Sequence, residues 1–236
     1  MQGQRVLGVF AHPDDAGFFA GGTLARWALE GAQVSLVVAT SGDKGSSEPE
    51  MTSDRLATIR EAEERAAAEA LGAHEVVFLR YRDGELYPTL ELRCDITRLI
   101  RLKRPDVVVT LDPTVYWWGT TSLNHPDHRA IGAATLEAIY PTARDRLNFP
   151  QQERDEGLHP HKVMTIYVAG PAEANVRVDI TGEPLERKLA YLRQHKSQIV
   201  DMEAMEARIR ERSLDPQAPP TYPRWIESFR LIQLSR

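Results

Sequence analysis

The sequence predicts an α/β fold, a single-domain Rossmann-like three-layer sandwich whose mostly parallel sheet carries helices on both faces. Three observations lead there. Apolar runs of strand length alternate with stretches of helical period from residue 6 onward. The strand, helix, strand order of the first forty residues implies a right-handed parallel crossover. A chain of 236 residues, 42% of them hydrophobic, can bury one core, and no linker-like segment divides it.

The run Val6-Leu7-Gly8-Val9-Phe10-Ala11 reads as a buried parallel strand that ends in His12-Pro13-Asp14-Asp15. One imidazole and two carboxylates thus arrive at a strand's carboxyl end, the edge where open α/β sheets place their ligands. Gly21-Gly22, with Phe18, Leu24, Trp27 and Ala28, suggests a turn and then a helix, which leaves His12 and Asp15 on a short loop and not on a helix face. Gly31 stops that helix, and residues 33–40 form the second strand. The loop 41–47 matches neither a P-loop nor a dinucleotide fingerprint and reads as a flexible rim to the site.

Over residues 52–71, Leu56, Ile59, Ala62, Ala66 and Ala70 recur at helical spacing, with Thr52 or Ser53 as N-cap and Gly72 just past the end. The dense charges Arg60, Glu61, Glu63 and Glu64 read as its solvated face. Residues 75–79 are a third strand, 90–102 a helix closed by Arg104-Pro105, and 106–111 a fourth strand. The next loop holds Tyr116, Trp117 and Trp118, placed by packing or subunit contact rather than by sugar stacking, and delivers Asn124-His125-Pro126-Asp127-His128 to a helix over 126–140. Pro126 suits its first position, where the missing N–H has no partner to lose. Residues 141–160 read as an irregular excursion, 162–169 as a strand, and 176–180 as a shorter edge strand. A last long helix runs over 181–198, with a continuation or break before Arg212, and the Pro-rich tail at about 212–236 is extended and a candidate oligomer contact.

A net charge of −5, with basic residues scattered, argues against bulk nucleic-acid or anionic-membrane partners. The lone Cys94 has no partner for an internal disulfide and reads as a partly buried thiol. No apolar stretch approaches the roughly 20 residues of a membrane span, and the N-terminus leads straight into a strand without a signal peptide. A cytoplasmic protein is the expectation.

The two histidine clusters each follow a parallel strand and should meet at one edge of the sheet. Two imidazoles and one carboxylate can bind one divalent ion and leave positions open for water and substrate, which is catalytic rather than structural zinc ligation. Non-haem iron oxygenases use the same donors, but commonly on a double-sheet barrel that this element order does not suggest. Fe2+ or another divalent ion fits the donors; oxygen chemistry is the weaker use of them.

With Ala-His-Pro-Asp-Asp after the first strand and His-Pro-Asp-His after a later one, the chain resembles the zinc-dependent N-acetylglucosaminyl deacetylases of the LmbE-like, or PIG-L, family. The similarity extends through Gly21-Gly22-Thr23-Leu24, Thr40-Ser41-Gly42-Asp43, Arg60-Glu61-Ala62-Glu63, the segment 157–161 and His195-Lys196-Ser197-Gln198. The resemblance implies His12, Asp15 and His128 as metal ligands and Asp14 as general base. It implies His125, a cation oriented by Asp127, as the oxyanion's partner, and Arg60 and Asp83 as contacts for sugar hydroxyls. Asp14 and His125 both remain candidates to protonate the leaving amine. His195 reads as a structural hydrogen-bonding element on the last helix. A small-molecule amino-sugar substrate and a homo-oligomer, a trimer or hexamer, are expected with it. One departure is visible: family members usually carry a glutamate one or two residues after Asp-Asp, and this chain has Ala16-Gly17. That motivates a competing expectation, a sugar-binding or regulatory protein without catalysis, beside an amidase acting on another sugar or a thiol conjugate, or a metal-dependent phosphoesterase.

Overall fold

The computed structural model describes residues 1–235. In chain order the elements are β1 (Arg5–Phe10), α1 (Asp15–Leu29), β2 (Gln33–Thr40), α2 (Ser53–Leu71), β3 (Glu75–Tyr81), α3 (Leu90–Lys103) and β4 (Val107–Leu111). A small hairpin of β5 (Trp117–Trp118) and β6 (Ser122–Leu123) follows, then α4 (Pro126–Glu137), α5 (Pro150–Glu156) and β7 (Thr165–Ala169). The chain continues through β8 (Val176–Asp179), α6 (Glu183–Leu192), α7 (Met202–Ser213) and β9 (Ile226–Gln233). The main sheet runs β3-β2-β1-β4-β7-β9-β8, parallel from β3 to β7, with β9 antiparallel to both neighbours.

Strands β1 and β4 are central, and every residue of β4 is buried, as expected where helices cover both faces of a parallel sheet. Helices α1, α2 and α6 pack on one another, while α3 packs with α4. The chain moves outward from β1 to β3, then crosses back to β4, so right-handed crossovers put these groups on opposite faces. Local signals hold: Thr52 Oγ1 accepts the Arg55 N–H (3.3 Å) and Thr89 Oγ1 that of Leu92 (3.2 Å), each capping a helix, and Gly72 closes α2 at φ 95°.

Several elements depart from expectation, each for a tertiary reason. Helix α1 begins at Asp15, so Gly21-Gly22 lie within it and mark no turn. A Cβ on Gly22 would stand 2.7 Å from the Ile180 side chain. Beside it the buried pair Lys188–Glu227 enters the helix ladder: Glu227 accepts the N–H groups of Gly22 and Thr23, and Lys188 donates to the Phe18 carbonyl. The long final helix is two helices, because the Ser197 N–H and hydroxyl both bond Glu63 of α2 and draw the chain out of its helical path. The tail from 212 includes β9, which pairs between β7 and β8; Arg236 lies outside the described residues.

The 141–160 excursion holds a seven-residue helix, too short for periodicity to reveal. Arg101 organises it. This buried guanidinium donates to the carbonyls of Thr142, Ala143, Asp145, Asn148 and Phe149 and to the Gln152 side chain. Arg101→Met is expected to lower unfolding stability by at least about 3 kcal/mol, because several buried carbonyls lose their donor together. Denaturant unfolding checks this; a midpoint at the wild-type value would show that the carbonyls find other donors.

Candidate active site

The sheet order reverses between β1 and β4, which opens a crevice at their carboxyl ends. The turn after β1 supplies His12, Asp14 and Asp15, and the loop after β4 supplies His125, Asp127 and His128 at the start of α4. The six expected metal and catalytic residues therefore converge. Asp15 is the first residue of α1 and not a loop residue; its Oδ2 accepts the N–H groups of Ala11 (3.1 Å) and His12 (2.9 Å), which fixes the carboxylate against the strand end.

Donor atoms of His12, Asp15 and His128 all lie within 4.8 Å of one another. Asp15 faces His12 Nδ1 at 3.4 Å through one oxygen and His128 Nε2 at 3.0 Å through the other. The far side of each imidazole is engaged as well. His128 Nδ1 lies 2.8 Å from Asn124 Oδ1, and His12 Nε2 lies 3.1 Å from Asp83 and 3.2 Å from Asp127. A proton on each outer nitrogen leaves the inner nitrogens as lone-pair donors, the tautomers that metal ligation needs. His12, Asp83, His125 and Asp127 form a second group of possible ligands. It shares His12 by the outer nitrogen, and Asp127 already accepts the Gly84 N–H (2.7 Å) and the Leu86 N–H (3.2 Å). Two nitrogens and a carboxylate suit zinc or a neighbouring divalent ion.

The electrostatics of the cluster favour a cation. Burial disfavours charge on His12, yet Asp127, Asp15 and Asp83 outweigh it and hold the imidazole well above its usual range. Asp15, despite burial, is held well below the carboxylate range by His128 and His12. The cluster draws positive charge.

Asp14 caps α1 with φ 98°, a left-handed conformation costing about 1–3 kcal/mol for a residue other than glycine. Burial raises its carboxyl to about 7, against the opposing pull of Arg60. Such a group takes up and gives back a proton near neutrality.

Three expected roles meet different geometry. The first is Asp127, expected to orient His125: its carboxylate instead bonds His12, and it stays 3.9 Å from His125 Nδ1. That nitrogen accepts the Asp127 backbone N–H (3.2 Å) as the N-cap of α4. The second is His125 as a cation. Burial and His12 push its pKa down, and the positive end of a helix acts in the same direction, which disfavours the charged ring; with Nδ1 accepting, Nε2 is the nitrogen left to carry a proton. The third is Arg60, expected at sugar hydroxyls. It is buried and donates to Gly42 O (3.1 Å), Pro13 O (2.7 Å) and Asp14 Oδ2 (3.1 Å), where it holds the Asp14 carboxylate in place. Gly42 permits this approach: a Cβ there would stand 2.3 Å from Arg60 Nη1.

Asp83, expected at sugar hydroxyls, sits at the cluster with its carboxylate 3.1 Å from His12 Nε2 and its N–H bonded to Asp43 (3.0 Å). Glu61 and Glu64 are buried like Arg60, although the charge pattern of α2 suggested a solvated face. Trp118 packs on Phe19, whose ring meets His128 edge-on, whereas Trp117 is exposed.

The family model described as PIG-L, GlcNAc-PI de-N-acetylase, matches residues 7–139, the span that holds every residue of this site. The chain belongs to that family. A diacetylchitobiose deacetylase of Thermococcus kodakarensis is 33% identical over 83% of this chain and 70% of its own. A 1D-myo-inositol 2-acetamido-2-deoxy-α-D-glucopyranoside deacetylase of Thermomonospora curvata is 31% identical over 84% of this chain and 81% of its own. Among solved structures, the N,N′-diacetylchitobiose deacetylase of Pyrococcus horikoshii superposes with a TM-score of 0.82 at 31% identity, covering 98% of this chain and 84% of that one. This PIG-L family protein is thus a hydrolytic N-deacetylase, an enzyme of amide bonds. No helix among the described residues is long and apolar enough to cross a membrane.

Proposed function

We propose that the chain is a zinc-dependent hydrolase that removes the acetyl group from N-acetylglucosamine-type conjugates. The convergence of His12, Asp15 and His128 beside a buried carboxyl near neutrality carries this reading. His12, Asp15 and His128 would hold a divalent ion, which when bound would supply Lewis acidity to the amide carbonyl and lower the pKa of a water toward about 7.

Asp14 takes the proton of the attacking water, held in place by Arg60. The carbonyl oxygen gains negative charge as the carbon becomes tetrahedral, and His125 donates its Nε2–H to that oxygen. Asp14 then gives the proton to the departing amine; the neutral His125 is the poorer acid, since losing its proton would leave an imidazolate. Acetate and the free amino sugar result. Asp83 contributes a carboxylate for a sugar hydroxyl at the same edge.

Acetate release by zinc-reconstituted protein from N,N′-diacetylchitobiose and from an N-acetylglucosaminyl inositol tests the proposal. Silence on both, with metal bound, would count against this substrate class. His125→Ala is expected to lower kcat by about 100- to 1000-fold, the usual loss for a missing oxyanion donor, with KM little changed. A pure KM effect would reassign His125 to binding. Assembly into a trimer or hexamer belongs to the same reading, with the exposed Trp117 and Leu123 of the hairpin as surfaces to be covered; a monomer by light scattering would contradict it.

A further inference from the structure

Glu64 lies in the middle of α2 with its carboxyl fully buried, and none of the steps above uses it. Its Oε2 accepts the backbone N–H of Asp14 at 3.2 Å. The Tyr191 hydroxyl, from α6, lies within hydrogen-bond distance of both of its oxygens, 2.7 Å from Oε1 and 2.5 Å from Oε2, and His195 Nε2 stands 3.5 Å away. Tyr191 reaches this place because residue 17 is glycine: a Cβ there would fall 2.4 Å from the Tyr191 ring. Three elements, α1, α2 and α6, therefore meet at the amide of the one residue whose backbone is left-handed in the turn after β1.

We propose that Glu64 is a positioning residue for deacetylation: with Tyr191 as its anchor, it locks the strained backbone of Asp14 so that the carboxyl faces the cleft. The two clamps on Asp14 are distinct, since Arg60 bonds its side chain and Glu64 its backbone. Burial holds the Glu64 carboxyl at about 8, so near neutrality it is an uncharged acid whose carbonyl accepts from the Asp14 N–H. A glutamine preserves that acceptor; an aspartate, one methylene shorter, cannot reach it from α2. The proposal rests on the reading of Asp14 as the general base.

Three variants test it: Glu64→Gln, Glu64→Asp, and the double variant Glu64→Leu with Tyr191→Phe, which replaces both buried partners by apolar groups. Each is measured for zinc content, for kcat and KM on N,N′-diacetylchitobiose, and for hydrogen exchange at the Asp14 amide. In Glu64→Asp and the double variant kcat is expected to fall about 10- to 100-fold, the cost of a misaimed catalytic group. KM and zinc content stay at wild-type values, the Asp14 amide exchanges faster, and Glu64→Gln retains both kcat and protection. Wild-type kcat in a folded Glu64→Asp or double variant overturns the proposal. So does unchanged exchange at Asp14, or a Glu64→Gln as slow as the others, which would make charge and not aim the cause. Should the double variant not fold, Glu64→Asp alone decides. If wild-type protein hydrolyses none of the conjugates, the deacetylase reading fails by itself, and the exchange measurement still decides whether Glu64 holds Asp14.

Discussion

Asp14→Asn is expected to lower kcat by about 100- to 10,000-fold, the contribution of a general base, while zinc content and KM stay at wild-type values. Asparagine keeps an oxygen for Arg60, so the geometry survives and only the proton acceptor is lost. No other group in the cleft can take over. His125 uses the lone pair of Nδ1 on the Asp127 N–H and carries its proton on Nε2, Asp15 is committed to two histidines, and Asp127 is fully buried against Gly84, Leu86 and His12. Steady-state kinetics beside metal analysis checks the expectation. A variant with full turnover would remove Asp14 as the base; one that loses zinc would make it a ligand.

The second large effect concerns the proposed metal ligands. Chelation of the loaded protein is expected to lower Tm by about 5–10 °C, since ligand at a hundredfold excess over Kd stabilises by about 2.7 kcal/mol and each kcal/mol moves a domain of this size by about 2–4 °C. In His128→Ala that shift disappears together with acetate release. The loss is specific because Asp15 remains fixed by the Ala11 and His12 N–H groups, and His12 remains fixed by Asp83 and Asp127. What goes is one donor and not the shape of the site. Scanning calorimetry with and without chelator checks this, and a variant whose Tm still responds to zinc would place the ion elsewhere.

Much of this was legible in the residues. The two histidine clusters sit at strand ends that hydrophobic patterning alone locates, and a parallel sheet must bring those ends to one edge. Thr52, Thr89 and Gly72 end their helices by local chemistry that a sequence carries openly. What stayed hidden depends on contacts between distant segments. The charge pattern of α2 shows Arg60, Glu61 and Glu64 as a polar face, and only the fold reveals that this face turns inward to Asp14, Ser41 and Tyr191. Asp127 lies two residues from His125, yet its carboxylate serves His12, 115 positions away. Gly21-Gly22 looks like a turn because nothing nearby announces that Ile180, Lys188 and Glu227 will press into α1. A signal for the inward face of α2 does exist: Gly42, where any side chain would collide with Arg60.

The most direct measurement titrates metal-free protein with zinc while acetate release from N,N′-diacetylchitobiose is followed. A single site built from His12, Asp15 and His128 predicts activity rising in proportion to zinc and levelling at one equivalent per chain. Activity that needs no metal, or that levels only at two equivalents, would contradict it; the second outcome would make the His12, Asp83, His125 and Asp127 group a metal site in its own right.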